Sequence, residues 1–562
     1  MSATAGARTV AGRGAVTHEG IFLAEQLWPI KGQLVLALVG LAIGGLMGLQ
    51  QTLSRVGIVL HEAMLMQSYY QGLTVHGVLL AFLFMFGFGN AFVSLAAIRG
   101  FERPLASSFL LQGAFWTMLA GTLLAGYAIL TNQATVLFTF YAPMRANPLF
   151  FLGAALLVIS TLLTALNLVL TRRAWQREHP GERTPLLGFV SVVTYVMWAL
   201  ASLGVVILVV FFLLPWSLGW VKTTDPQFNR ILFWFTGHPI VYFWLMPVYI
   251  SWYLMVPRQV GGRIFSDSLV RLAFLLLLIF SVPTGLHHQY VDPGIPTIMK
   301  VVHLFTTFAV VFPSLITAFT VMAALEDGGR ARGGTGLLGW IRKLPWGDPS
   351  VAAQLLAMIV FILGGATGVV NASYNLNNVV HNTSFVSGHF HMTVGTAVTL
   401  SILGITYWLI PFLTRRELMG RRLALVQAWL WFFGVLLFAR GQIAAGLIGE
   451  PRRSSIAEAP WREVLDVGLD HWLTAIGGSF MVLSGLLYFV VILWTLFAGR
   501  PLARPLEMPV AEMRFGARET SPLFDRLGFW FLVAVLLVAV AYIPLIVLYL
   551  PLQSVSPPIK VY

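Results

Sequence analysis

Cysteine is absent from all 562 residues. Disulfides, thiolate metal sites, iron–sulfur clusters and c-type heme attachment within this chain are therefore excluded. Any metal must be held by histidine, methionine or oxygen ligands. Charge is also scarce, at 10% of residues, where a soluble domain carries about 25%. Acidic residues are the scarcer sign, 22 against 35 Lys plus Arg, which gives a net charge of +13. That excess does not call for nucleic acid, because membrane proteins concentrate Lys and Arg in cytoplasmic loops. What is plentiful is apolar: 58% of the chain is hydrophobic. No apolar core precedes Lys31, so no cleavable signal peptide is expected.

Apolar runs of membrane-spanning length recur from end to end, so the expected fold is an all-α polytopic transmembrane helix bundle. About thirteen spans are expected, at 32–53, 73–98, 107–131, 148–171, 186–214, 229–256, 269–289, 297–325, 351–371, 384–413, 422–448, 472–498 and 527–550. No internal repeat divides them, and 1–562 reads as a single integral membrane domain. Basic residues cluster in alternate connections, from Arg172, Arg173, Arg177 and Arg183 to Arg500, Arg504, Arg514 and Arg518. The loop 372–383 has neither Lys nor Arg. This bias puts the N-terminus in the cytoplasm and the C-terminus outside. Residues 1–30 then form a cytoplasmic N-terminal segment, and 499–526 a cytoplasmic loop before the last span.

Twelve histidines are present, and six fall at one depth in the outer part of the membrane. They are His76 in the second span, His238 in the sixth, His287 and His288 ending the seventh, and His389 and His391 opening the tenth. A lone membrane histidine is most often an interhelical hydrogen-bonder. Six at a common level each need a partner where water is absent, and imidazole is the commonest metal ligand. His389 and His391 lie about 200° apart around a helix. They suit two prosthetic groups flanking that helix better than one metal. His287 and His288 lie about 100° apart, beside Pro283 and Gly285, which can distort the turn. They could converge on one ion, with His238 as a third ligand. His76 is then left to pair with one of His389 and His391. Three ligands for a metal, two for a six-coordinate heme and one for a five-coordinate heme would place an open iron face beside a metal ion.

The motifs "LTVHGV" around His76, "TGHPIVYFW" around His238, "PTGLHHQYVDPG" around His287 and His288, and "HNTSFVSGHFH" ending at His391 match one family in type, order and spacing. The chain resembles subunit I of the heme–copper oxygen reductases over essentially its whole length. The resemblance implies that His76 and His391 hold a low-spin heme, His389 a high-spin heme, and His238, His287 and His288 a copper ion. It implies a catalytic Tyr242 cross-linked to His238; spacing of i, i+4 puts the two rings on one face. Many members carry a glutamate two residues after the histidine of "HPxVY", where this chain has Ile240. That points to the B type, the ba3 kind, with a b-type low-spin heme, an a-type high-spin heme and one proton channel. The channel residues implied are Tyr249, Tyr253, Ser314 and Thr317. Arg452, Arg453, His381 and Asn382 are implied partners of heme propionates, a role that suits guanidinium groups. Asn377 departs from the family, where a related oxidase has aspartate. Arg440 is a second departure, a charge within the eleventh span whose partner stays open between outer water, a propionate and another subunit.

The function expected from the resemblance is that of a terminal oxidase catalytic subunit reducing dioxygen to water with electrons from a cytochrome c-type donor, coupled to proton pumping. With no cysteine in this chain, the electron-entry dinuclear copper must sit in subunit II. A small single-span subunit, membrane lipid and a prokaryotic plasma membrane complete the expectation, without nucleic acid. Nitric oxide reductase and quinol oxidase on the same scaffold are the nearest alternatives. Tyr242 and the lack of extra intramembrane glutamates speak against the reductase. A non-redox transporter is the alternative from another class, and gives no reason for six histidines at one depth.

Overall fold

The computed structural model describes residues 21–459 and 468–551. Thirteen spans order the bundle, the seventh being bent. In chain order they are α1 (Ala24–Val56), α2 (Tyr69–Phe101), α3 (Ser108–Leu130), α4 (Pro148–Glu178), α5 (Leu186–Ser217) and α6 (Pro226–Val260). There follow α7 (Asp267–Phe280), which turns by 52° into the segment Val282–Gln289, then α8 (Thr297–Ala331) and α9 (Pro349–Ala372). The last four are α10 (Ser384–Thr414), α11 (Arg421–Leu447), α12 (Gly468–Ala498) and α13 (Leu527–Tyr549). Polar caps start several of them. Ser68, Asp225 and Asp348 each accept a backbone N–H from the first turn of α2, α6 and α9, satisfying donors that a helix start leaves unpaired.

The expected spans are all found, with ends shifted by several residues and the largest change at the start of α1. α1 begins at Ala24, not at residue 32. Its first turns are polar because Gln26 is buried against the α2–α3 connection, donating to the Leu105 carbonyl and accepting from the Leu105 N–H, each at 3.0 Å. A hydropathy reading passes over such a residue. Residues 1–20 of the expected N-terminal segment lie outside the described residues.

The central helices are the most deeply buried. Most of the best apolar window of α2, α6 and α10 is buried inside the protein, whereas α3, α12 and α13 bury a third or less. The outer helices therefore face lipid, and the histidine-bearing helices form the interior. Close approach is possible where side chains are small: a Cβ on Gly121 of α3 would lie 2.7 Å from the Gly153 carbonyl of α4, the packing that small residues permit in membranes.

At the end opposite the histidines the 499–526 loop is clamped to the bundle. Its strand β2 (Met513–Phe515) pairs in parallel with β1 (Ile264–Ser266). Fully buried Arg271 pairs with fully buried Asp267 at 2.7 Å and reaches Asp525 of the loop at 3.3 Å. Thr520 donates to Asp267 at 2.7 Å. Each charge is thus paired and hydrogen-bonded, the condition under which buried ions are tolerated.

Candidate functional site

Breaks in two helices and π-helical stretches in two others shape the site. In α6 the helical run ends at Gly237 and restarts at Pro239, with His238 at the junction. Pro239 has no N–H to continue the ladder, so the break follows from the sequence. In the α7 bend Pro283 leaves helical geometry (φ −78°, ψ 36°). In α2 and α10, π-helical stretches follow the histidines, at Leu79–Phe84 and Thr393–Val398. Such bulges recur at functional sites.

The two breaks bring His238, His287 and His288 together, with one ligand-capable nitrogen from each lying within 4.8 Å of the others. His238 Nδ1 faces His288 Nε2 at 3.1 Å, and His238 Nε2 faces the Tyr242 hydroxyl at 2.9 Å. The His238 ring therefore uses one nitrogen toward the histidine cluster and the other toward the phenol. Each neutral imidazole keeps one nitrogen lone pair, and an ion among the three can accept a lone pair from each. The cluster thus fits a copper ion.

His76, His389 and His391 line the same cavity of about 1100 Å³ as the cluster and Tyr242. Each uses Nδ1 on its own surroundings. His76 Nδ1 donates to the Gly44 carbonyl at 2.8 Å, and His391 Nδ1 to the Ser387 carbonyl at 2.8 Å. His389 Nδ1 meets Thr367 Oγ1 at 2.9 Å and the Gly364 carbonyl at 3.1 Å. With the proton fixed on Nδ1, Nε2 keeps its lone pair for a metal. The His76 and His391 rings are 6.3 Å apart and 18° from parallel. Two metal–nitrogen bonds of roughly 2 Å each, plus the ring radii, span that gap. The cavity exceeds the upper size usual for one small ligand, about 1000 Å³. These residues fit heme groups.

The outer wall gathers the expected propionate partners. Arg452, Arg453, His381 and Asn382 all line the cavity. Arg452 donates to Asn382 Oδ1 at 2.7 Å, and Arg453 lies over the Phe138 ring at 5.0 Å. Burial, with Arg453 beside it, pushes Arg452 down to about 9. Burial, then the Arg452 guanidinium, pushes His381 down to about 4, so its imidazole is neutral at neutral pH. Its buried Nε2 has no partner among the described residues. Two adjacent cations and an unpaired ring nitrogen suit anionic oxygens. Asn377 donates to the Asn371 carbonyl at 2.7 Å and accepts from His381 Nδ1 at 3.2 Å. An ionised carboxylate could accept as it does, but could not donate.

Of the expected channel residues, Tyr249 and Ser314 line the cavity. Tyr253 donates to Thr317 Oγ1 at 2.8 Å just beyond it. The Tyr249 ring lies 6.2 Å from that of Tyr253, and its buried hydroxyl, which makes no close hydrogen bond among the described residues, lies near the Ser314 and Thr317 hydroxyls. Arg440 is no longer open: it pairs with Asp470 of α12 at 2.9 Å, with its side chain 59% exposed.

Four features were not anticipated from sequence. Trp234 stacks on His288 at 3.9 Å and 8°; its position one turn before His238 was the available signal. Arg230 pairs with Asp292 at 2.8 Å near His381. Thr320, a turn beyond Thr317, is buried with a hydroxyl that has no partner among the described residues. Arg55 on the cavity wall pairs with fully buried Glu450, which also meets His471 at 2.5 Å. Only long-range folding joins those last three.

This bundle and histidine set define a class, the heme–copper oxidases, and comparison with known proteins agrees. The family model for cytochrome c and quinol oxidase polypeptide I matches residues 29–480, and the chain belongs to that family. Cytochrome c oxidase subunit 1 of Thermus thermophilus is 43% identical over 92% of this chain and 93% of the relative. Quinol oxidase subunit 1 of Sulfolobus acidocaldarius is 27% identical over 60% of this chain and 64% of the relative. A heme–copper terminal oxidase dimer solved by cryo-EM superimposes with a TM-score of 0.89 at 34% identity, covering 96% of both chains. Within the family the kinship is with the ba3 type, and the chain is the catalytic subunit of a terminal oxidase. Membership implies hemes and copper, a respiratory membrane, and further subunits such as subunit II.

Proposed function

We propose that the chain catalyses reduction of dioxygen to water with electrons from a cytochrome c-type donor, coupled to outward proton movement. The observation that carries the reading is the Tyr242–His238–His288 chain of contacts at 2.9 and 3.1 Å facing the cavity that His389 lines. His238, His287 and His288 are assigned to copper, His389 to a high-spin a-type heme, and His76 with His391 to a low-spin b-type heme. When bound, these groups hold dioxygen and supply most of the electrons for its reduction.

The chain's own residues do the rest. His238 orients the Tyr242 phenol, whose hydroxyl can release a proton and an electron together. That supplies what the metals lack for O–O cleavage without release of peroxide. Proton resupply is assigned to Tyr253, Thr317, Ser314 and Tyr249, from the cytoplasm inward. The Tyr253–Thr317 bond is a direct step, and the buried Tyr249 hydroxyl suits a bridging water. Ile240 stands where many members carry a glutamate, so a single entry is assigned. Arg452, Arg453, His381 and Asn382 are assigned to the propionates, where paired cations hold carboxylates in place.

The N-terminus is assigned to the cytoplasm and the C-terminus to the outside of a prokaryotic plasma membrane. Subunit II is assigned the dinuclear copper, and a small single-span subunit is a further expected partner. The greater identity to a cytochrome c oxidase than to a quinol oxidase favours the cytochrome c-type donor. Dioxygen uptake by the purified complex tests the reading. Uptake driven by reduced cytochrome c supports it; uptake driven only by quinol overturns the donor, and no uptake overturns the function.

A further inference from the structure

The segment after α7 carries both His287 and His288 and breaks helical geometry at Pro283. A break strands backbone N–H and C=O groups that a continuous helix would pair. In a membrane interior each such group must be satisfied within the protein. Here the partners come from α8, the next helix, and from the distant α13. The Gly285 N–H donates to Tyr542 Oη at 3.1 Å, and the Tyr542 hydroxyl donates to the Val282 carbonyl at 3.4 Å. The Leu286 N–H donates to His303 Nδ1 at 3.3 Å. His303 must then carry its proton on Nε2, which donates to the Ala541 carbonyl at 3.1 Å. The Thr306 hydroxyl covers the Pro283 carbonyl.

α13 therefore grips the bend twice, directly through Tyr542 and through Ala541 by way of His303. The fit is tight. A Cβ on Gly285 would lie 2.0 Å from the Trp234 carbonyl and 2.5 Å from the Tyr542 hydroxyl. Trp234 in turn stacks on His288. The Tyr542 ring is packed between Phe235 at 4.5 Å and His303 at 5.0 Å, so its hydroxyl has one place to go. Elsewhere α13 exposes Leu532, Leu536, Val540 and Val547, as a lipid-facing span does. Its inward polar contact is with this bend.

We propose that Tyr542 and His303 are positioning residues for the copper site. They satisfy the bend that aims His287 and His288 at His238, and so set the affinity for copper. The inference rests on the reading of those three histidines as copper ligands. Outer partners that orient ligands commonly change metal affinity by about 10–100-fold when removed.

The test uses the purified complex with Y542F, H303L, H303Q and H288L. Copper retained by this chain per two hemes is measured against graded chelator, alongside the reduced-minus-oxidised heme spectrum. Y542F removes one hydroxyl and keeps the ring. It is expected to lose copper at about tenfold or more lower chelator, with the low-spin heme spectrum unchanged. H303L should do the same, and H303Q, whose amide can both accept and donate, should hold copper better than H303L. Parent-like retention in Y542F and H303L, or loss of heme together with copper, overturns the inference. H303Q no better than H303L overturns the part of His303. If H288L keeps its copper, the underlying ligand reading fails. If only H288L loses copper, that reading stands and the positioning role fails.

Discussion

His389 differs from His76 and His391, the other two histidines assigned to heme, in a way that can be measured. Its Nδ1 meets a side-chain oxygen, Thr367 Oγ1 at 2.9 Å, as well as the Gly364 carbonyl at 3.1 Å. Thr367 itself donates to the Gly364 carbonyl at 2.8 Å, so its oxygen acts as acceptor toward the imidazole. A hydrogen bond accepted from Nδ1–H leaves more electron density on the ligating nitrogen and favours oxidised iron. T367V removes that acceptor and leaves the carbonyl. The net value of one such bond is about 0.5–1.5 kcal/mol. With about 59 mV per tenfold change in a one-electron equilibrium, the shift is roughly 20–60 mV. The high-spin heme potential should rise by this amount in a spectroelectrochemical titration. The low-spin heme should move far less, because His76 and His391 bond backbone carbonyls that the substitution does not touch. An unchanged or lowered high-spin potential, or a shift confined to the low-spin heme, refutes the assignment of His389 or the argument from its hydrogen bond.

Three further outcomes are expected. Y242F should retain both hemes and copper but lose about 100-fold or more in steady-state dioxygen uptake, the usual scale for a proton donor in the reacting site; near-parent turnover contradicts the role of the phenol. T317V, which breaks the Tyr253–Thr317 contact, should slow proton uptake on the order of tenfold or more while leaving heme spectra intact, read with a pH indicator in vesicles. D267N takes the nearer of two anions from fully buried Arg271 and should cost about 1.5–3 kcal/mol, seen as a lower thermal midpoint and easier proteolysis of the 499–526 loop; an unchanged midpoint contradicts a stabilising role for the pair.

Hydropathy alone ordered the bundle, because each span is long and continuous in sequence. The same reading misplaced the start of α1, since Gln26 is polar yet buried by a hydrogen-bonded partner outside its own helix. The histidine levels were legible for a similar reason: depth follows from position along a span. Pro239 and Pro283 announced the breaks that turn His238 and His287 inward. What could not be read was pairing between helices far apart in sequence. Arg55 finds Glu450 and His471, and the α7 bend finds Tyr542 beyond five intervening spans. No periodicity encodes such contacts; the packed fold creates them. Trp234 lies between these cases. Its spacing from His238 was visible, but its stacking on His288 depended on how α6 meets the bend.

Six histidines at one depth are assigned to two hemes and a copper ion. Metal and heme analysis of the isolated chain, joined to its reduced-minus-oxidised spectrum, tests the assignment most directly. Two hemes and one copper per chain, with one six-coordinate and one ligand-binding heme, is the result expected. Colourless protein, or a non-heme iron in place of copper, contradicts it.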